Sequence, residues 1–479
     1  MIDVAIIGCG VVGAAAAYEL SRYPLRVAVL EAENDIADGT TKANSAILHA
    51  GYDPEPGTLM ARLNVRGVAL AQEICARLDV PYRRCGSLVV AFSSDEQEHL
   101  RVLYNRGIAN GVPELQLLSG EEARAVEPNL SEEVVAALYA PGAAIVGPWE
   151  YALAMAEVAV RNGVELRRSW PVTQVTRIES GYRLHSPKGT VDARFVVNAS
   201  GISAERIHNM VAKPSFHIVP TRGEYHLLDK SEGDRVQHVI FQCPNESGKG
   251  VLVAPTVHGN LIVGPNAQIL EEPSTACTAD GLSFVADSAK RSVPSIAFGE
   301  VIRTFAGVRA NVAGDFIIQE AEDAPGWIDL AGIKSPGLSA APAIAEEVLA
   351  LLQKKQALPN KKTDYRDGRT QIRFANLSLA EKQAMVQRDP AYGRVVCRCV
   401  TITEGEIAAA LHSEIPAPSI DGVKRRCGAG MGRCQGGFCG PRILEMMCRE
   451  YQCSPLDILQ DKEGTHVLVE ETKQGVHHV

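Results

Sequence analysis

The stretch MIDVAIIGCGVVGAAAAYELSRYPLRVAVLE, residues 1–31, decides the fold of this chain. A short apolar run at 2–7 leads into the glycine-rich turn GCGVVG at 8–13, and a run of small residues follows that is typical of a helix. A second apolar run, at 26–31, ends in an acidic residue. This order predicts a strand, a crossover helix and a parallel strand, which open a doubly wound α/β sheet.

The glycine-rich turn indicates nucleotide binding. Gly8, Gly10 and Gly13 have the G-x-G-x-x-G spacing, in which the first glycine permits a tight turn and the second lets the backbone approach a pyrophosphate. The third lets the helix pack on the strand, and Val12 lies at the helix N-terminus, which faces the phosphates. Glu31 stands roughly 20 residues further on, where a carboxylate accepts ribose hydroxyls. The alternative to nucleotide binding is that these glycines serve only the packing of the helix on the strand.

Composition and charge limit the partners that the chain can have. A length of 479 residues suits roughly two to four domains. A formal net charge of −9 with 5% aromatic residues argues against a nucleic-acid surface. No apolar run reaches the roughly 18 residues of a membrane span, so we expect membrane association only indirectly, through a partner. Because the first strand begins at Ile2, no room is left for a signal peptide, and we expect a cytoplasmic protein.

Three segments far from the turn complete the nucleotide-binding pattern: TTKANSAILHAGYD at 40–53, NASG at 198–201 and AGIKSPGLSAAPAIA at 331–345. This discontinuous order resembles the FAD-dependent D-amino-acid oxidase superfamily, in which separated segments of a glutathione-reductase-like Rossmann domain wrap one FAD. The resemblance implies an α/β fold, with this FAD-binding domain and an inserted antiparallel-sheet substrate domain. The further cofactor contacts that it implies are Thr40, Thr41, Asn44, Ser45, Ser200, Gly201, Gly332, Ser335, Gly337 and Leu338.

Cysteines crowd the C-terminal end of the chain. Cys397 and Cys399 form one close pair in the sequence, and Cys434 and Cys439 form another. Four thiolates in two close pairs suit a 2Fe-2S cluster. A structural zinc site is the alternative, although a C-x-C pair with a C-x4-C pair is unusual for zinc, and Cys427 is the rival ligand. The pattern resembles the bacterioferritin-associated-ferredoxin-like domain, which implies a small helical domain that binds a 2Fe-2S cluster.

Basic residues lie among and beside these cysteines in the sequence. They are Lys424, Arg425, Arg426, Arg433 and Arg442. One interpretation is a solvated basic loop, and the other is a docking face for an electron-transfer partner.

Several segments indicate the kind of reaction. Residues 43–67 and 82–92 resemble L-2-hydroxyglutarate dehydrogenases and oxidases, and FAGVR at 305–309 is similar to a segment of both these enzymes and FAD-dependent glycerol-3-phosphate dehydrogenases. With its cysteine-rich tail, the arrangement resembles the large subunit of anaerobic glycerol-3-phosphate dehydrogenases over residues 1 to about 455. This resemblance implies oxidation of glycerol 3-phosphate to dihydroxyacetone phosphate, with hydride transfer to FAD and electrons leaving through the cluster to a partner subunit or carrier.

Three alternatives to this reaction stay open on the sequence. The substrate of such a dehydrogenase could be L-2-hydroxyglutarate or another 2-hydroxy acid. It could also be an amino or imino acid, because the superfamily oxidises C–N bonds equally well. A non-catalytic electron-transfer subunit that keeps both cofactors is the third alternative. A small anionic substrate is common to the catalytic interpretations.

Five residues are candidates for catalysis or substrate binding. A flavin dehydrogenase needs a base for the hydroxyl proton and cations for the substrate's anionic end. The resemblance assigns Arg309 to a phosphate or carboxylate, which its forked donors suit, and a structural salt bridge is the alternative. His49 and His258 are the candidate bases, because an imidazole suits proton transfer near neutral pH. Arg222 is a second candidate anion contact, and Lys334 lies in a loop where some glycerol-3-phosphate enzymes place a lysine.

The chain is expected to divide into four parts. The FAD-dependent oxidoreductase occupies 1–365, with FAD-binding parts at about 1–78, 145–215 and 303–355 and substrate parts at about 79–144 and 216–302. The remaining parts are a linker at 366–392, a 2Fe-2S-binding domain at 393–455 and a C-terminal tail at 456–479.

Overall fold

The computed structural model describes residues 1–244, 250–355 and 357–472. Residues 245–249 of the expected substrate part and residues 473–479 of the expected tail therefore lie outside the described residues.

The chain forms two compact units. The first consists of residues 1–32 and 36–369, and the second consists of residues 33–35 and the chain from residue 370 onward. Among the helices of the described residues, none combines the length and the apolar character that a membrane crossing requires.

The first unit contains an eight-stranded sheet with a parallel core. The parallel strands are β1 (Ile2–Ile7), β2 (Val27–Leu30), β9 (Glu165–Arg167), β12 (Gly189–Asn198) and β20 (Trp327–Ala331). They lie in the order β20, β12, β1, β2, β9. The antiparallel strands at the edge are β10 (Gln174–Ile178), β11 (Gly181–Ser186) and β19 (Ile317–Glu320). The predicted strand, helix and parallel strand at the N-terminus are confirmed.

Helices cover this sheet, and small residues let them approach one another. They are α1 (Val11–Leu20), α2 (Leu59–Arg77), α5 (Pro148–Arg161), α6 (Ala204–His208) and α8 (Gly337–Lys355). Four consecutive alanines at 14–17 are buried in α1, which packs against both α5 and α8. Gly67 brings α2 so close to α8 that an added Cβ would overlap the carbonyl oxygen of Ser339. These helices and their neighbouring loops frame the glycine-rich turn.

A second, nine-stranded sheet forms the rest of the first unit. Its strands are β5 (Ser87–Ala91), β6 (Gln116–Ser119), β7 (Ala136–Ala140), β13 (Val219–Leu228), β14 (Val239–Gln242), β15 (Leu252–Pro255), β16 (Leu261–Gly264), β17 (Gln268–Ile269) and β18 (Val301–Asn311). The flanking helices are α3 (Ser94–Ala109), α4 (Gly120–Val126) and α7 (Ala279–Ser292). The sheet is antiparallel, as expected, except that β5 and β14 are parallel.

One strand of this sheet departs from the expected domain boundaries, and a small third sheet completes the first unit. Strand β18 pairs with β13 along its length, so residues 303–311, expected in an FAD-binding part, lie in the nine-stranded sheet. A small three-stranded sheet consists of β3 (Ile47–Leu48), β4 (Tyr82–Arg84) and β8 (Ala144–Val146).

The second unit is small and mainly helical. Its elements are α9 (Leu379–Arg388), β21 (Val395–Cys397), β22 (Ile402–Thr403), α10 (Glu404–Leu411), α11 (Ile420–Cys427) and α12 (Gly440–Tyr451). Its core contains Ile407, Val423, Ile443 and Met447. Helix α9 lies inside the stretch 366–392 that the sequence indicates as a linker, and a Ser378–Glu381 capping box fixes its start.

Candidate active site and cysteine cluster

The glycine-rich turn forms a cradle of backbone between β1 and α1. Gly8 has a φ of +93°, and an added Cβ would lie 2.7 Å from the carbonyl oxygen of Ala199. A Cβ on Gly13 would overlap the carbonyl oxygen of Gly8. Gly10 precedes α1, so the first N–H groups of the helix, where Val12 lies, border the turn. A pyrophosphate suits such a site, because its glycines carry no side chains of their own and the helix N-terminus favours anions.

Glu31 is tied directly to this cradle from the end of β2. Its Oε2 accepts the backbone N–H of Cys9 at 2.7 Å, and the side chain is buried. The carboxylate therefore lies at the turn, as the ribose contact predicted for it requires. On the other side of the turn, Ser200 donates its hydroxyl to Asn198 Oδ1 at 2.6 Å, and Gly201 has a φ of +58°. The Ser200 hydroxyl is thus engaged within its own turn.

In the segment 40–45, side chains that were expected to contact the cofactor form hydrogen bonds with the protein backbone. Thr41 Oγ1 accepts the N–H of Val11 at 3.0 Å, and Thr40 donates its hydroxyl to the carbonyl of Val308 at 2.6 Å. The Asn44 amide donates to the carbonyl of Thr41 at 2.8 Å, while its Oδ1 accepts the N–H of Ala46 at 2.7 Å. The structure therefore corrects the expectation that Thr40 and Asn44 offer their donors to FAD, because backbone carbonyls accept those protons.

Strands β13 and β18 present one face toward this segment. Arg309 lies opposite Thr221, and Phe305 lies opposite Tyr225, with the two rings stacked 4.8 Å apart. Directly opposed residues of antiparallel strands share a face. On that face Tyr225 and Ser45 are joined through their hydroxyls at 3.2 Å. The face that carries Arg309 is therefore turned toward the predicted flavin-binding segment.

Arg309 has the surroundings of an anion-binding residue. The guanidinium is half-buried, and Nη2 donates to the carbonyl of Asn266 across a long distance of 3.4 Å. A Cβ on Gly223 would lie 2.5 Å from the same Nη2, so the glycine makes the space that the guanidinium occupies. Within the described ranges Arg309 makes no ion pair, which argues against the structural salt bridge considered as its alternative. Its forked donors suit a phosphate or carboxylate.

Arg222 lies on the face of the β13–β18 pair that is opposite to the face of Arg309, because successive side chains of a strand point to alternate faces. It is only 5% exposed, donates to the carbonyl of Ala276 at 2.6 Å and is hydrogen-bonded to Gln268. His226, four residues further along on the same face, is hydrogen-bonded to the carbonyl of Leu282 in α7 at 3.0 Å. The structure therefore corrects the expectation of a second anion contact: Arg222 fastens the chain that leads into α7.

His49 is joined to the loop that precedes α8. Its ring Nε2 is 3.2 Å from the hydroxyl of Ser335, and its backbone N–H donates to Ser339 Oγ at 2.8 Å. The imidazole also stacks on Phe241, with ring centroids 5.5 Å apart. His258 instead binds the Glu150 carboxylate at 2.9 Å, at the start of α5. Of the two candidate bases, the structure joins His49 to the predicted flavin loop.

The loop 331–338 is shaped by contacts with residue 312. Lys334 donates its ammonium to the carbonyl of Val312 at 2.8 Å, and a Cβ on Gly332 would overlap the Val312 side chain. The N–H of Gly337 donates to the carbonyl of Lys334 at 2.6 Å, and Leu338 follows in the first turn of α8. The Lys334 ammonium therefore has a structural partner in this loop.

The four expected cluster cysteines meet in two pairs that cross the sequence motifs. Cys399 Sγ lies 3.5 Å from Cys434 Sγ, and the Cys397 and Cys439 thiols are hydrogen-bonded to each other. Within the described residues, no three His, Cys, Asp or Glu side chains converge to hold a single metal ion. A 2Fe-2S cluster takes two thiolates on each iron, whereas structural zinc takes four ligands on one ion. The donor set and its pairing therefore fit a two-iron cluster.

Within each pair of cysteines the pKa of one thiol is lowered, that of Cys397 or Cys434, and the pKa of the other, Cys439 or Cys399, is raised. The hydrogen bond from Cys439, together with backbone N–H groups that include that of Gly430, lowers the pKa of Cys397 to about 6. A Cβ on Gly432 would overlap Cys399 Cβ, so the loop needs a glycine there. Cys427 differs, because burial raises the pKa of its thiol to about 12 and Sγ is hydrogen-bonded to Val423 of its own helix. Cys427 is thus bonded within its own helix, whereas each of the four other cysteines lies against a thiol of the other cysteine-bearing segment.

Two of the neighbouring basic residues are not available to a partner. Arg425 and Arg426 are buried, and both donate to the Asp35 carboxylate, which belongs to the same unit, at 2.8–2.9 Å. Burial alone would raise the pKa of Asp35, but the two guanidinium groups hold it well below its usual range. Arg433 and Arg442 are exposed. Neither interpretation of the basic residues, a solvated loop or a docking face, holds for these first two, which form a buried ion cluster.

Several site residues escape prediction from the sequence. Gly223 and Asn266 surround Arg309, and Phe241 and Ser339 contact His49. The sequence did contain one signal, because Gly223 directly follows Arg222 in the chain. The pairing of β13 with β18 decides which of these two residues faces Arg309.

Comparisons with known proteins agree with this geometry. A glycerol 3-phosphate dehydrogenase of Caloramator mitchellensis is 48% identical over 479 residues, which cover 99% of this chain and 100% of that protein. A glycerol 3-phosphate oxidase of Mycoplasma pneumoniae is 34% identical and covers 74% of this chain and 95% of its own length. The solved structure of the dithionite-reduced L-α-glycerophosphate oxidase of that organism, with FAD bound, has a TM-score of 0.73 at 33% identity. It covers 78% of this chain and 98% of that one.

Two family models match the chain. The model described as FAD dependent oxidoreductase matches residues 3–351, and the model described as BFD-like [2Fe-2S] binding domain matches residues 395–449. The expected superfamily, fold class and two cofactors, FAD and a 2Fe-2S cluster, are thereby confirmed. The chain belongs to the FAD-dependent oxidoreductase family and carries a BFD-like domain that binds a [2Fe-2S] cluster in its C-terminal part.

Proposed function

We propose that this chain oxidises glycerol 3-phosphate to dihydroxyacetone phosphate. The observation that carries the proposal is Arg309, a half-buried guanidinium without an ion-pair partner in the described chain, on the face turned toward the predicted flavin-binding segment. The full-length similarity to a glycerol 3-phosphate dehydrogenase supports the choice of substrate.

In this proposal the chain's own residues bind, orient and deprotonate the substrate. Arg309 binds the phosphate through its planar pair of N–H donors, with Gly223 leaving room for the guanidinium. His49 accepts the proton of the hydroxyl that becomes the ketone, while Ser335 and Phe241 fix the plane of its ring. FAD bound over the glycine-rich turn supplies the acceptor for the hydride, and the 2Fe-2S cluster supplies a one-electron route onward.

The cysteine-rich domain also supports a partner. The four thiolates would hold the cluster in two pairs, with Cys399 exposed and Cys397 and Cys439 each 1% exposed. An exposed edge of a redox centre suits electron transfer to another protein. We therefore infer that a partner subunit or carrier, rather than oxygen, takes the electrons, and that any membrane association comes through that partner.

Turnover of alternative substrates tests the proposal. The purified protein is assayed with a dye as electron acceptor and with glycerol 3-phosphate, L-2-hydroxyglutarate or proline as substrate. We expect kcat/KM to be highest for glycerol 3-phosphate by at least two orders of magnitude, because only this substrate matches the dehydrogenase that resembles the whole chain. Turnover confined to the hydroxy acid or to the amino acid would contradict the proposal.

A further inference from the structure

Glu224 is a buried carboxylate that the proposed reaction does not use. It lies on β13 beside Gly223, is 0% exposed and is on the face opposite Arg309. Its oxygens accept the Asn266 amide at 2.6 Å, the Thr278 hydroxyl at 3.0 Å and the Thr278 backbone N–H. Burying a charge is costly unless hydrogen bonds compensate for it, so this carboxylate marks a position where the chain is held firmly.

The carboxylate is ionised in this environment. Burial would raise the pKa of Glu224, but hydrogen bonds from Asn266 and Thr278 and the charge of Arg222 lower it below its usual range. An ionised carboxylate accepts stronger hydrogen bonds than a neutral acid does. The contact between Glu224 and the Asn266 amide is therefore a charge-assisted one.

Asn266 is bound by Glu224 at both ends of its side-chain amide. Its Oδ1 accepts the backbone N–H of Glu224 at 2.8 Å, while its Nδ2 donates to the Glu224 carboxylate. Two hydrogen bonds to one buried residue fix the rotamer of Asn266 and, with it, the backbone at 265–266. That backbone contacts the substrate side of β13, because the Asn266 carbonyl accepts Arg309 Nη2.

Gly223 is the point where these groups meet. A Cβ there would lie 2.5 Å from Arg309 Nη2 and 2.7 Å from Pro265 Cβ. The guanidinium and the segment 265–266 are therefore packed side by side over a single glycine, which is next in sequence to Glu224. A shift of this segment changes the space and the hydrogen bond available to the guanidinium.

We propose that Glu224 and Asn266 are positioning residues, which hold the segment 265–266 against Arg309 and so fix the guanidinium for the anionic end of the substrate. Neither residue contacts the substrate itself. The inference rests on the anion-binding role that the proposed function gives to Arg309. A purely structural role, namely attachment of α7 through Thr278, is the competing explanation.

A double-mutant cycle separates the two explanations. Asn266→Ala removes both amide contacts, and we expect it to raise KM for glycerol 3-phosphate roughly tenfold, with kcat changed less than about threefold. In an Arg309→Ala background the same substitution should change KM less than about twofold, because no guanidinium remains to be positioned. Thr278→Val is the matched control: it loosens the attachment of α7 without removing an Asn266 contact, and KM should stay within about twofold of wild type.

Each other outcome decides against the inference. An equal effect of Asn266→Ala in both backgrounds, or an unchanged KM, would show that the pair is only structural. If Arg309→Ala itself leaves KM unchanged, the proposed role of Arg309 fails and this inference fails with it. If the Asn266→Ala prediction fails while Arg309→Ala raises KM as expected, only the inference fails and the proposed function stands. Where Asn266→Ala does not fold, Glu224→Gln takes its place in the same cycle, because it keeps the side-chain volume.

Discussion

Substitution of Gly8 by alanine tests whether the glycine-rich turn holds the flavin by close backbone approach. The φ of +93° is unfavourable for alanine by about 1–2 kcal/mol. The new Cβ would also lie 2.7 Å from the Ala199 carbonyl oxygen and 3.1 Å from Ser200 Cα. Both are backbone atoms, so the strand ends must separate, at a further cost of about 1–3 kcal/mol. The expected total loss of stability is therefore about 2–5 kcal/mol.

The effect on FAD follows from the same displacement. A hydrogen bond of about 2.9 Å is lost when its donor moves by an ångström, and each charge-assisted bond contributes about 1.5–3 kcal/mol. Losing a single such bond weakens FAD binding roughly tenfold to a hundredfold. We expect purified Gly8→Ala protein to retain less than about a tenth of the wild-type flavin per chain.

Gly111→Ala is the matched control for this experiment. Gly111 also has a positive φ, +79°, but no atom lies within 4 Å of an added Cβ. This variant should show only the conformational cost, about 1–2 kcal/mol, with full flavin content. Flavin absorbance and iron content per chain are measured on both variants, and iron should be unchanged in both. Full flavin content in Gly8→Ala, or equal losses in the two variants, would show that close backbone approach at Gly8 does not hold the flavin.

Three further predictions follow from individual contacts. Arg309→Ala should lower kcat/KM for glycerol 3-phosphate by about a hundredfold or more, since two charge-assisted hydrogen bonds are lost, whereas exposed Arg303→Ala on the same strand should change it little in the same dye assay. Cys399→Ser should abolish the cluster absorbance and lower the iron content, whereas Cys427→Ser should keep both; the reverse result would exchange their roles. Asp35→Asn should lower the unfolding free energy, followed by cluster absorbance in denaturant, by about 3–5 kcal/mol, because two buried guanidinium groups lose their partner. Because the folded-state pKa of Asp35 is depressed, this difference is present at neutral pH and shrinks below roughly pH 4; a difference that is constant with pH would contradict the assignment.

The parts of the site that follow from local sequence could be predicted. The positions of Gly8, Gly13 and Glu31 depend on one βαβ unit, whose strand, turn and helix are consecutive in the chain, and the structure has them as expected. The four cysteines that the structure brings together could also be selected by their spacing. Their crossed pairing could not, because it depends on how the two cysteine-bearing segments fold against each other.

The parts that depend on strand register could not be predicted. Arg309 and Arg222 are the first and second candidate anion contacts in the sequence, and only the pairing of β13 with β18 places them on opposite faces. Hydrogen bonds from side-chain donors to backbone carbonyls could not be predicted either. Thr40 and Asn44 have the donors that a cofactor needs, yet their carbonyl partners, Val308 and Thr41, become visible only in the folded structure.

Anaerobic reduction of the flavin by substrate is the sharpest test of the proposal that the chain oxidises glycerol 3-phosphate. The purified holoprotein is titrated anaerobically with glycerol 3-phosphate and, separately, with L-2-hydroxyglutarate, and the visible flavin absorbance is recorded. We expect glycerol 3-phosphate to bleach the flavin at stoichiometric concentrations and the hydroxy acid to leave it oxidised. Bleaching by the hydroxy acid alone, or by neither compound, would contradict the proposal.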